Sequence, residues 1–388
     1  MLGSFPDPLR VGLFSNIYRP IISGVVNSID LLRKELLNQG HCPFVFAPRV
    51  PGYKDTHSGV WRFPSVHFRQ VNYPLALPIW PPTQRAIAQS RLQVVHTHHP
   101  FWLGEVAWMW SRIRRIPLVY TFHTQYEQYC HYLKLPQAPL RALTRWSVKN
   151  FARRCDLIIA PSPTIREVMS DYGITTWTET LPNAIDLERF QAPRERSSIR
   201  QQLGWPLDRP IALYAGRLGR EKNLSFLLEA FAHVPEACLA VVGDGPELPA
   251  LRAQAEGLGL GERVLFAGGA SYPAMPDYYG AADLFCIAST TEVKPLVVLE
   301  ALASHLPVVA VSACGTADTL THGQDGLLTR ERLDEFAGAC KYLCRDGEER
   351  RRMAEAAGRT AENYSIEGYT RKLVALYQQA RARVDRER

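Results

Sequence analysis

Short, almost wholly apolar runs alternate with helix-like stretches along the whole chain, and this alternation limits the possible folds more than any other feature. Each run ends in Gly, Ser, His or Pro. Such runs are typical of strands covered on both faces in a parallel sheet. The predicted strands are 10–15, 43–48, 92–99, 117–123 and 156–162 in the first half, and 210–216, 238–245, 263–268, 283–290 and 307–311 in the second.

The alternation occurs twice, which predicts the α/β class with two Rossmann-like, doubly wound domains facing each other across a cleft. A segment rich in Pro, Asn and charge, 181–197, is the expected linker. Ligands of such sheets bind beyond the carboxyl ends of the strands, so we expect the functional site in the cleft. The predicted domains are 1–188 and 189–364, followed by a basic amphipathic helix, 365–388, that packs back on the first domain.

The composition is ordinary for a globular protein with sizeable cores: 388 residues, 46% hydrophobic and 21% charged. The 8 cysteines are scattered without CxxC spacing, as expected of reduced core residues in a cytoplasmic protein. No charge-free apolar run reaches the ~20 residues of a membrane-spanning helix. The first residues lack the basic and apolar regions of a signal peptide, so we expect none.

Basic residues are concentrated in the first half of the chain. Residues 1–190 hold 21 Lys and Arg against 12 Asp and Glu, a net charge of 21 − 12 = +9, whereas residues 191–388 hold 24 against 26, a net charge of −2. This excess predicts an anionic partner for the first half, either a membrane surface or a nucleic acid. Charge alone supports the nucleic acid, because no binding motif accompanies it, and we expect no nucleic-acid partner.

One candidate ligand loop lies in the first half, in "SNIYRPIISGVVNSI" (15–29). Gly24, just before a predicted helix, lets the backbone approach a ligand closely, and helix N-termini favour anions. An ordinary connection between strand and helix explains the same letters. The loop is neither a Walker loop nor a GxGxxG motif, so nicotinamide binding has little support.

Two loops of the second half have the residues of a diphosphate site. In "YAGRLGREKN" (214–223), Arg217 and Lys222 follow a strand that ends at Gly216, and two cations there suit a diphosphate. In "VVGDGPE" (241–247), Gly243 follows the next strand. A solvated loop and a tight turn, respectively, are the alternative interpretations.

The segment "TTEVKPLVVLEAL" (290–302) holds two carboxylates, Glu292 before a predicted helix and Glu300 about one and a half turns inside it. Pro295 suits the first helical position, where its missing N–H costs least. The carboxylates either line one ligand pocket or serve as a helix cap and a solvated charge. Because apolar residues flank Glu300, we expect it to be half-buried.

An aromatic and polar segment, "YTFHTQYEQYCHYLKLP" (120–136), follows a strand predicted to end at His123. A lone histidine there is more often structural than catalytic, but its crowded loop favours a ligand-facing surface. The cluster "HTHHP" (96–100) has no second set of ligands at metal spacing, so we expect no metal site. The candidate ligand residues of this loop are Tyr126, Glu127, Tyr129 and Tyr132.

A basic stripe recurs every four residues in "PLRALTRWSVKNFARR" (139–154). A basic amphipathic helix is a candidate for binding a membrane surface. A core-packed helix with a solvated charged face fits the pattern equally well. The candidate membrane residues are Arg141, Arg145, Trp146, Lys149 and Arg153.

Taken in order, these motifs resemble the retaining nucleotide-sugar glycosyltransferases of family four, which have the GT-B fold. The resemblance covers nearly the whole chain, and five motifs in the family's order carry it together. They are "YRPIISGVVNSIDLLRKELLNQGH", "LPNAIDLERF", "AGRLGREKN", "VVGDGPE" and "TEVKPLVVLEALASHLPVVAV".

The resemblance implies a role for each candidate. Arg217 and Lys222 would hold the diphosphate and stabilise the leaving nucleotide, so no metal and no cofactor would be required. Glu292 would contact the donor sugar and Glu300 the ribose, while His123 would lie near the reacting face and C6 hydroxyl of the sugar. The other donor-binding positions implied are Gly24, Gly216, Gly243, Lys294, Pro295 and Leu296.

The loop "TFHTQYEQYCHYL" resembles the acceptor loop of bacterial glycolipid synthases that glucosylate diacylglycerol. This implies α-glucosyl transfer from UDP-glucose to a membrane lipid, with galactose or mannose as alternative sugars. The enzyme would be cytoplasmic and peripheral on the inner face of the plasma membrane. A transferase for soluble acceptors and an inactive sugar-nucleotide- or lipid-binding module remain alternatives. The family usually has Gly where this chain has Pro295, which prompts the last of these.

Overall fold

A computed structural model describes residues 8–67, 74–132, 136–192 and 194–388; the side chains of His67, Tyr129, His131 and Tyr132 lie outside this description. The chain divides into two compact units. Unit 1 comprises the residues up to Asn183 together with Ile366–Arg388, and unit 2 comprises Ala184–Ser365. Each unit has its own parallel sheet.

Unit 1 contains a seven-stranded sheet and a separate two-stranded antiparallel ribbon. A short 3₁₀ helix spans Tyr126–Tyr132. The strands are β1 (Arg10–Phe14), β2 (Cys42–Pro48), β3 (Val60–Phe63), β4 (Ser65–His67), β5 (Pro74–Ala76), β6 (Val94–Thr97), β7 (Leu118–Thr121), β8 (Leu157–Ala160) and β9 (Thr178–Thr180), and the helices before the crossing to unit 2 are α1 (Gly24–Asn38), α2 (Pro81–Gln89), α3 (Leu103–Arg114), α4 (Gln137–Ala152) and α5 (Pro163–Asp171).

Unit 2 is built on a six-stranded sheet. Four 3₁₀ helices span Arg220–Lys222, Gly261–Arg263, Tyr272–Ala274 and Glu362–Tyr364. The strands are β10 (Ile211–Ala215), β11 (Cys238–Val242), β12 (Val264–Gly268), β13 (Leu284–Ile287), β14 (Val308–Val311) and β15 (Gly326–Thr329), and the helices are α6 (Leu187–Gln191), α7 (Arg196–Leu203), α8 (Leu224–Ala232), α9 (Leu248–Gly257), α10 (Met275–Ala281), α11 (Leu296–Ala303), α12 (Cys314–Ala317), α13 (Leu333–Arg345) and α14 (Gly347–Ala361).

Both sheets reverse their strand order at one point. The orders are β3-β2-β1-β6-β7-β8-β9 and β12-β11-β10-β13-β14-β15. All pairs in these two sheets are parallel. The reversals lie between β1 and β6 and between β10 and β13. Ligands of doubly wound sheets bind beyond the carboxyl ends of the strands at such points, so we expect ligand-binding residues at these two positions.

The last helix, α15 (Ile366–Arg386), belongs to unit 1. Its inward face adds Leu373, Tyr377 and Ala380 to the hydrophobic core formed with β1 and α1, and all three are fully buried. Its opposite face is charged and exposed. The amphipathic pattern of the tail is therefore the pattern of a helix that completes a core.

Every predicted strand is present, but most are shorter than their apolar runs. The run 117–123 contains β7, which ends at Thr121, so His123 follows the strand and does not end it. Helix α11 begins at Leu296, and Pro295 is its N-cap residue, not its first helical residue as predicted. None of the helices in the described residues is long and apolar enough to cross a membrane.

Candidate active site

The reversal point of unit 2 brings together two of the predicted loops. The loop after β10 ends in the 3₁₀ helix Arg220–Lys222, and the loop after β13 carries Glu292. The Nζ atom of Lys222 lies 2.5 Å from Oε1 of Glu292, and both side chains are largely buried. Two sequence-predicted residues of opposite charge therefore meet at the carboxyl end of the sheet.

Arg217 occupies the same loop as Lys222 but is more exposed. Its side chain is 41% accessible, and its guanidinium lies 3.9 Å from the buried carboxylate of Glu221. The hydroxyl of Ser289 donates to the Glu221 carbonyl at 3.0 Å, which ties this loop to the end of β13. Arg217 thus presents a charged fork to solvent from an anchored loop.

Gly216 and Gly243 allow two loops to pack against each other. Their φ angles are +147° and +153°. A Cβ atom on Gly243 would lie 1.8 Å from the carbonyl oxygen of Gly216. Only glycine fits at position 243 because any side chain would overlap the neighbouring backbone. This close approach brings the ends of β10 and β11 together, so packing by itself requires glycine at position 243.

Glu300 lies inside α11 and is 4% exposed. The hydroxyl of Tyr279 donates to its Oε2 at 2.7 Å. Burial raises the pKa of the Glu300 carboxyl to about 7, and the hydrogen bond from Tyr279 opposes the rise. A carboxyl group with this pKa changes its charge near neutral pH, which is unusual for a glutamate and typical of functional sites.

Lys294 is buried, whereas the neighbouring Leu296 is half-buried at the start of α11. The Lys294 amine donates to the Asp318 carbonyl at 3.2 Å and to the Tyr364 hydroxyl at 3.3 Å. Burial lowers its pKa to about 8, and the Asp318 charge opposes this. Pro295 lacks an N–H, but its carbonyl accepts the first hydrogen bond of the helix, from Val298 at 3.2 Å.

The reversal point of unit 1 has Gly24 on one side. Gly24 is the first residue of α1, and the Ser23 hydroxyl caps the helix by accepting from the Val26 N–H at 3.2 Å. Ser23 thus satisfies one of the free amides at this helix end. The remaining amides of the first turn keep the partial positive charge that favours anions.

On the other side of this point, a histidine cluster follows β6 and β7. His98 Nδ1 lies 2.9 Å from His123 Nε2, and their rings stack at 5.2 Å. His99 contacts the loop after β1, where its Nδ1 accepts from the Asn16 N–H at 3.2 Å. Burial lowers the pKa of His123 to about 4 and that of His99 to about 3, so both are neutral at neutral pH.

The predicted acceptor residues that are described lie in the 3₁₀ helix Tyr126–Tyr132. The ring of Tyr126 packs edge-on against Phe101 at 5.1 Å. The carboxylate of Glu127 lies 3.5 Å from the Arg145 guanidinium, which links this segment to α4. The side chains of Tyr129 and Tyr132 lie outside the described residues.

Helix α4 is anchored at one end and exposed at the other. Val148 and Phe151 are fully buried, whereas Leu143 and Trp146 are 59% and 61% exposed. The exposed surface of this basic helix therefore includes two large apolar side chains. Of the predicted membrane residues, Arg141, Arg145 and Trp146 are exposed, Lys149 is half-buried, and Arg153 is exposed just beyond the end of the helix.

Two partners of the candidate residues were missed from the sequence, His98 and Tyr279. His98 stands in "HTHHP", which we considered only for metal binding. Among the described residues, no group of three His, Cys, Asp or Glu side chains is placed to share a metal ion. Tyr279 precedes Glu300 by 21 positions, and no local pattern links them.

Two Rossmann-like units, each built on a parallel sheet, are the architecture of the GT-B class of glycosyltransferases. Residues 22–189 match the model for Glycosyltransferase Family 4, and residues 195–360 match the model for Glycosyl transferases group 1. An alpha-monoglucosyldiacylglycerol synthase from Streptococcus pneumoniae is 34% identical, over 78% of this chain and 71% of that protein. The chain therefore belongs to glycosyltransferase family 4.

Other relatives and solved structures are also similar. The Acholeplasma laidlawii protein named alpha-monoglucosyldiacylglycerol synthase is 29% identical, over 78% of this chain and 80% of its own. A GDP-mannose-dependent alpha-mannosyltransferase of Mycobacterium tuberculosis is 29% identical, over 97% and 98%. The structure of a sucrose-phosphate synthase from Thermosynechococcus elongatus superimposes with a TM-score of 0.82 at 22% identity, over 96% of this chain and 99% of that one. At 22% identity, the similarity to this structure shows that the two proteins share a fold.

Proposed function

We propose that the protein is a retaining glucosyltransferase that moves glucose from UDP-glucose to diacylglycerol, or a related membrane lipid, and forms an α-glycolipid. The observation that carries the chemistry is the contact of Lys222 with Glu292 at the reversal point of unit 2. The lipid acceptor is supported by the two relatives named as synthases of alpha-monoglucosyldiacylglycerol.

In this proposal, the residues of unit 2 bind the donor. Arg217 and Lys222 hold the diphosphate and neutralise the charge that develops on the leaving nucleotide, as preorganised cations do most effectively in a partly buried site. They take the place of a metal ion. Glu292 accepts hydrogen bonds from the sugar and Glu300 from the ribose, while backbone groups near Lys294, Pro295 and Leu296 border the same site.

Residues of unit 1 also have proposed roles in the reaction. Gly24 brings the amides of the first turn of α1 to the phosphates. His123 contacts the sugar near its reacting carbon. In a retaining transfer of this kind, the leaving diphosphate accepts the proton of the acceptor hydroxyl, so no protein base is needed. The segment Tyr126–Tyr132 borders the acceptor.

The acceptor lies in a membrane, and α4 is the proposed contact. Leu143 and Trp146 enter the interfacial region of the lipid, and Arg141 and Arg153 attract anionic headgroups. The net positive charge of residues 1–190 would also attract an anionic membrane surface. The protein would then act from the cytoplasm, as a peripheral protein on the inner face of the plasma membrane.

The experiment is a panel of radiolabelled nucleotide sugars, offered with vesicles containing diacylglycerol and with soluble sugars, in buffer with EDTA. The expected product is a lipid-extractable glucoside made from UDP-glucose. A product from GDP-mannose would favour the activity named for the mycobacterial relative. Transfer to soluble sugars alone would contradict the lipid acceptor, and loss of activity in EDTA would contradict the metal-free mechanism.

A further inference from the structure

His98 lies between two other imidazole rings in unit 1. Its ring centroid is 4.4 Å from that of His96 and 5.2 Å from that of His123. Its Nδ1 atom lies 2.9 Å from Nε2 of His123. His98 is only 2% exposed, whereas His123 is half-buried. His98 is thus the inner member of a hydrogen-bonded pair.

His96 packs against His98 and is itself held by two hydrogen bonds. Its Nδ1 lies 2.6 Å from the Tyr377 hydroxyl of α15, and its Nε2 lies 2.7 Å from the Thr121 hydroxyl at the end of β7. Both ring nitrogens of His96 therefore have partners, so its orientation is determined. Because the His96 ring is fixed, it also restricts the orientation of the neighbouring His98 ring.

Neutral histidines each carry one ring proton, and its position decides what they can donate. Burial lowers the pKa of His98 well below its usual value and that of His123 to about 4. Both rings are therefore neutral at neutral pH. The contact between Nδ1 of His98 and Nε2 of His123 requires one proton between these two atoms.

The other nitrogen of His98 decides which ring supplies that proton. Its Nε2 is buried and has no hydrogen-bond partner within the described residues. If the proton came from His123, His98 would carry its own proton on Nε2 as a buried, unpaired N–H. If it comes from His98, only a lone pair is left unpaired. Buried N–H groups without a partner are rarer than acceptors without one, so the proton belongs to His98 Nδ1.

We infer that His98 is a positioning residue: its Nδ1–H holds His123 with the proton on Nδ1, so that His123 meets a substrate oxygen as a hydrogen-bond donor. In this tautomer the Nε2 atom of His123 already accepts from His98 and is not available as a base. The inference rests on the proposed function for the place of His123 near the sugar.

The test is ¹⁵N NMR of protein labelled at the histidine ring nitrogens, at neutral pH. His123→Asn identifies the His123 signals by their loss. The wild type should show His123 protonated at Nδ1 and unprotonated at Nε2. His98→Leu should shift His123 toward a mixture of tautomers, and His98→Asn, which keeps an N–H donor near the same position, should restore the wild-type pattern. His41→Leu, an equally buried histidine that accepts from the Leu9 N–H, should leave the His123 signals unchanged.

Kinetics supply the second readout. His98→Leu should lower kcat roughly tenfold, the effect of one lost hydrogen bond in the transition state, and His98→Asn should recover most of it. A wild-type His123 protonated at Nε2 would overturn the inference, as would a His98→Leu variant with the wild-type tautomer. The NMR signals do not depend on turnover, so they test the role of His98 even if the protein glucosylates no lipid. Absence of glycolipid formation would count only against the proposed function.

Discussion

Lys222 Nζ lies 2.5 Å from Oε1 of Glu292, although 70 positions separate the two residues in the chain. The contact joins the loops that follow β10 and β13, the two strands at the reversal point of unit 2. A cation and a carboxylate within one hydrogen bond of each other can reach the same ligand. In the proposed enzyme, Lys222 meets the diphosphate and Glu292 the sugar attached to it.

Lys222→Ala should lower kcat by about 10²–10³, because the variant lacks the charge that we propose stabilises the leaving diphosphate. Arg220→Ala provides a matched control, since Arg220 lies in the same 3₁₀ helix and is exposed. It should retain wild-type kcat. Steady-state kinetics with a saturating lipid acceptor measure both. Equal losses in the two variants would mean that the helix, and not the Lys222 amine, matters.

Gly243→Ala should reduce the free energy of unfolding by about 3 kcal/mol, because its methyl group would overlap the Gly216 carbonyl and one loop must move. Gly338→Ala is the control: Gly338 lies inside α13, where a Cβ meets no atom within 4 Å. That change should stabilise the protein by about 0.5–1 kcal/mol. Urea unfolding of both variants checks the contrast, and a neutral Gly243→Ala would disprove the close packing.

Glu300 should make stability depend on pH. Its pKa rises from 4.5 to about 7 on folding, so the folded state binds more protons than the unfolded state between these values, and the free energy of unfolding falls as pH rises through this range. Glu300→Gln should remove this part of the pH dependence, whereas Glu256→Gln, at an exposed position of α9, should not. Urea unfolding at pH 5 and pH 8 tests this. A wild-type slope in Glu300→Gln would contradict the assignment.

The double variant Leu143→Ala/Trp146→Ala should bind anionic vesicles severalfold more weakly than the wild type, because both side chains are exposed and apolar. Leu207→Ala is the control, since Leu207 is similarly exposed but lies in unit 2. Co-sedimentation with vesicles at low and high salt measures the effect, and wild-type binding should fall as salt rises. If the wild type does not bind, or the double variant binds equally well, α4 is not the contact.

The sequence predicted the strands because each buried run is continuously apolar, and this pattern does not depend on tertiary context. It did not predict β3, β9 and β15, which are short strands at the ends of the two sheets, nor the short ribbon of β4 and β5. The placement of His123 was wrong by two residues, since an apolar run continues past the last ladder hydrogen bond of β7.

Within the candidate site, the motifs predicted which loops carry charge but not what each charge contacts. The Lys222–Glu292 pair depends on the strand order, and the burial of Lys294 depends on Tyr364 and Asp318, which are distant in sequence. Tyr279 is paired with Glu300 only because α10 packs beside α11. Such partners follow from three-dimensional packing, and local periodicity contains no trace of them.

The proposed reaction is tested most directly by proton NMR of the glycolipid made from UDP-glucose and diacylglycerol vesicles, with Glu292→Gln as the comparison. We expect the wild type to form a glucosyl diacylglycerol in the α configuration, and Glu292→Gln to form on the order of a hundredfold less. A β-linked product would contradict retention. A wild type that makes no glycolipid would contradict the proposed reaction, and a Glu292→Gln variant as active as the wild type would contradict the proposed role of Glu292.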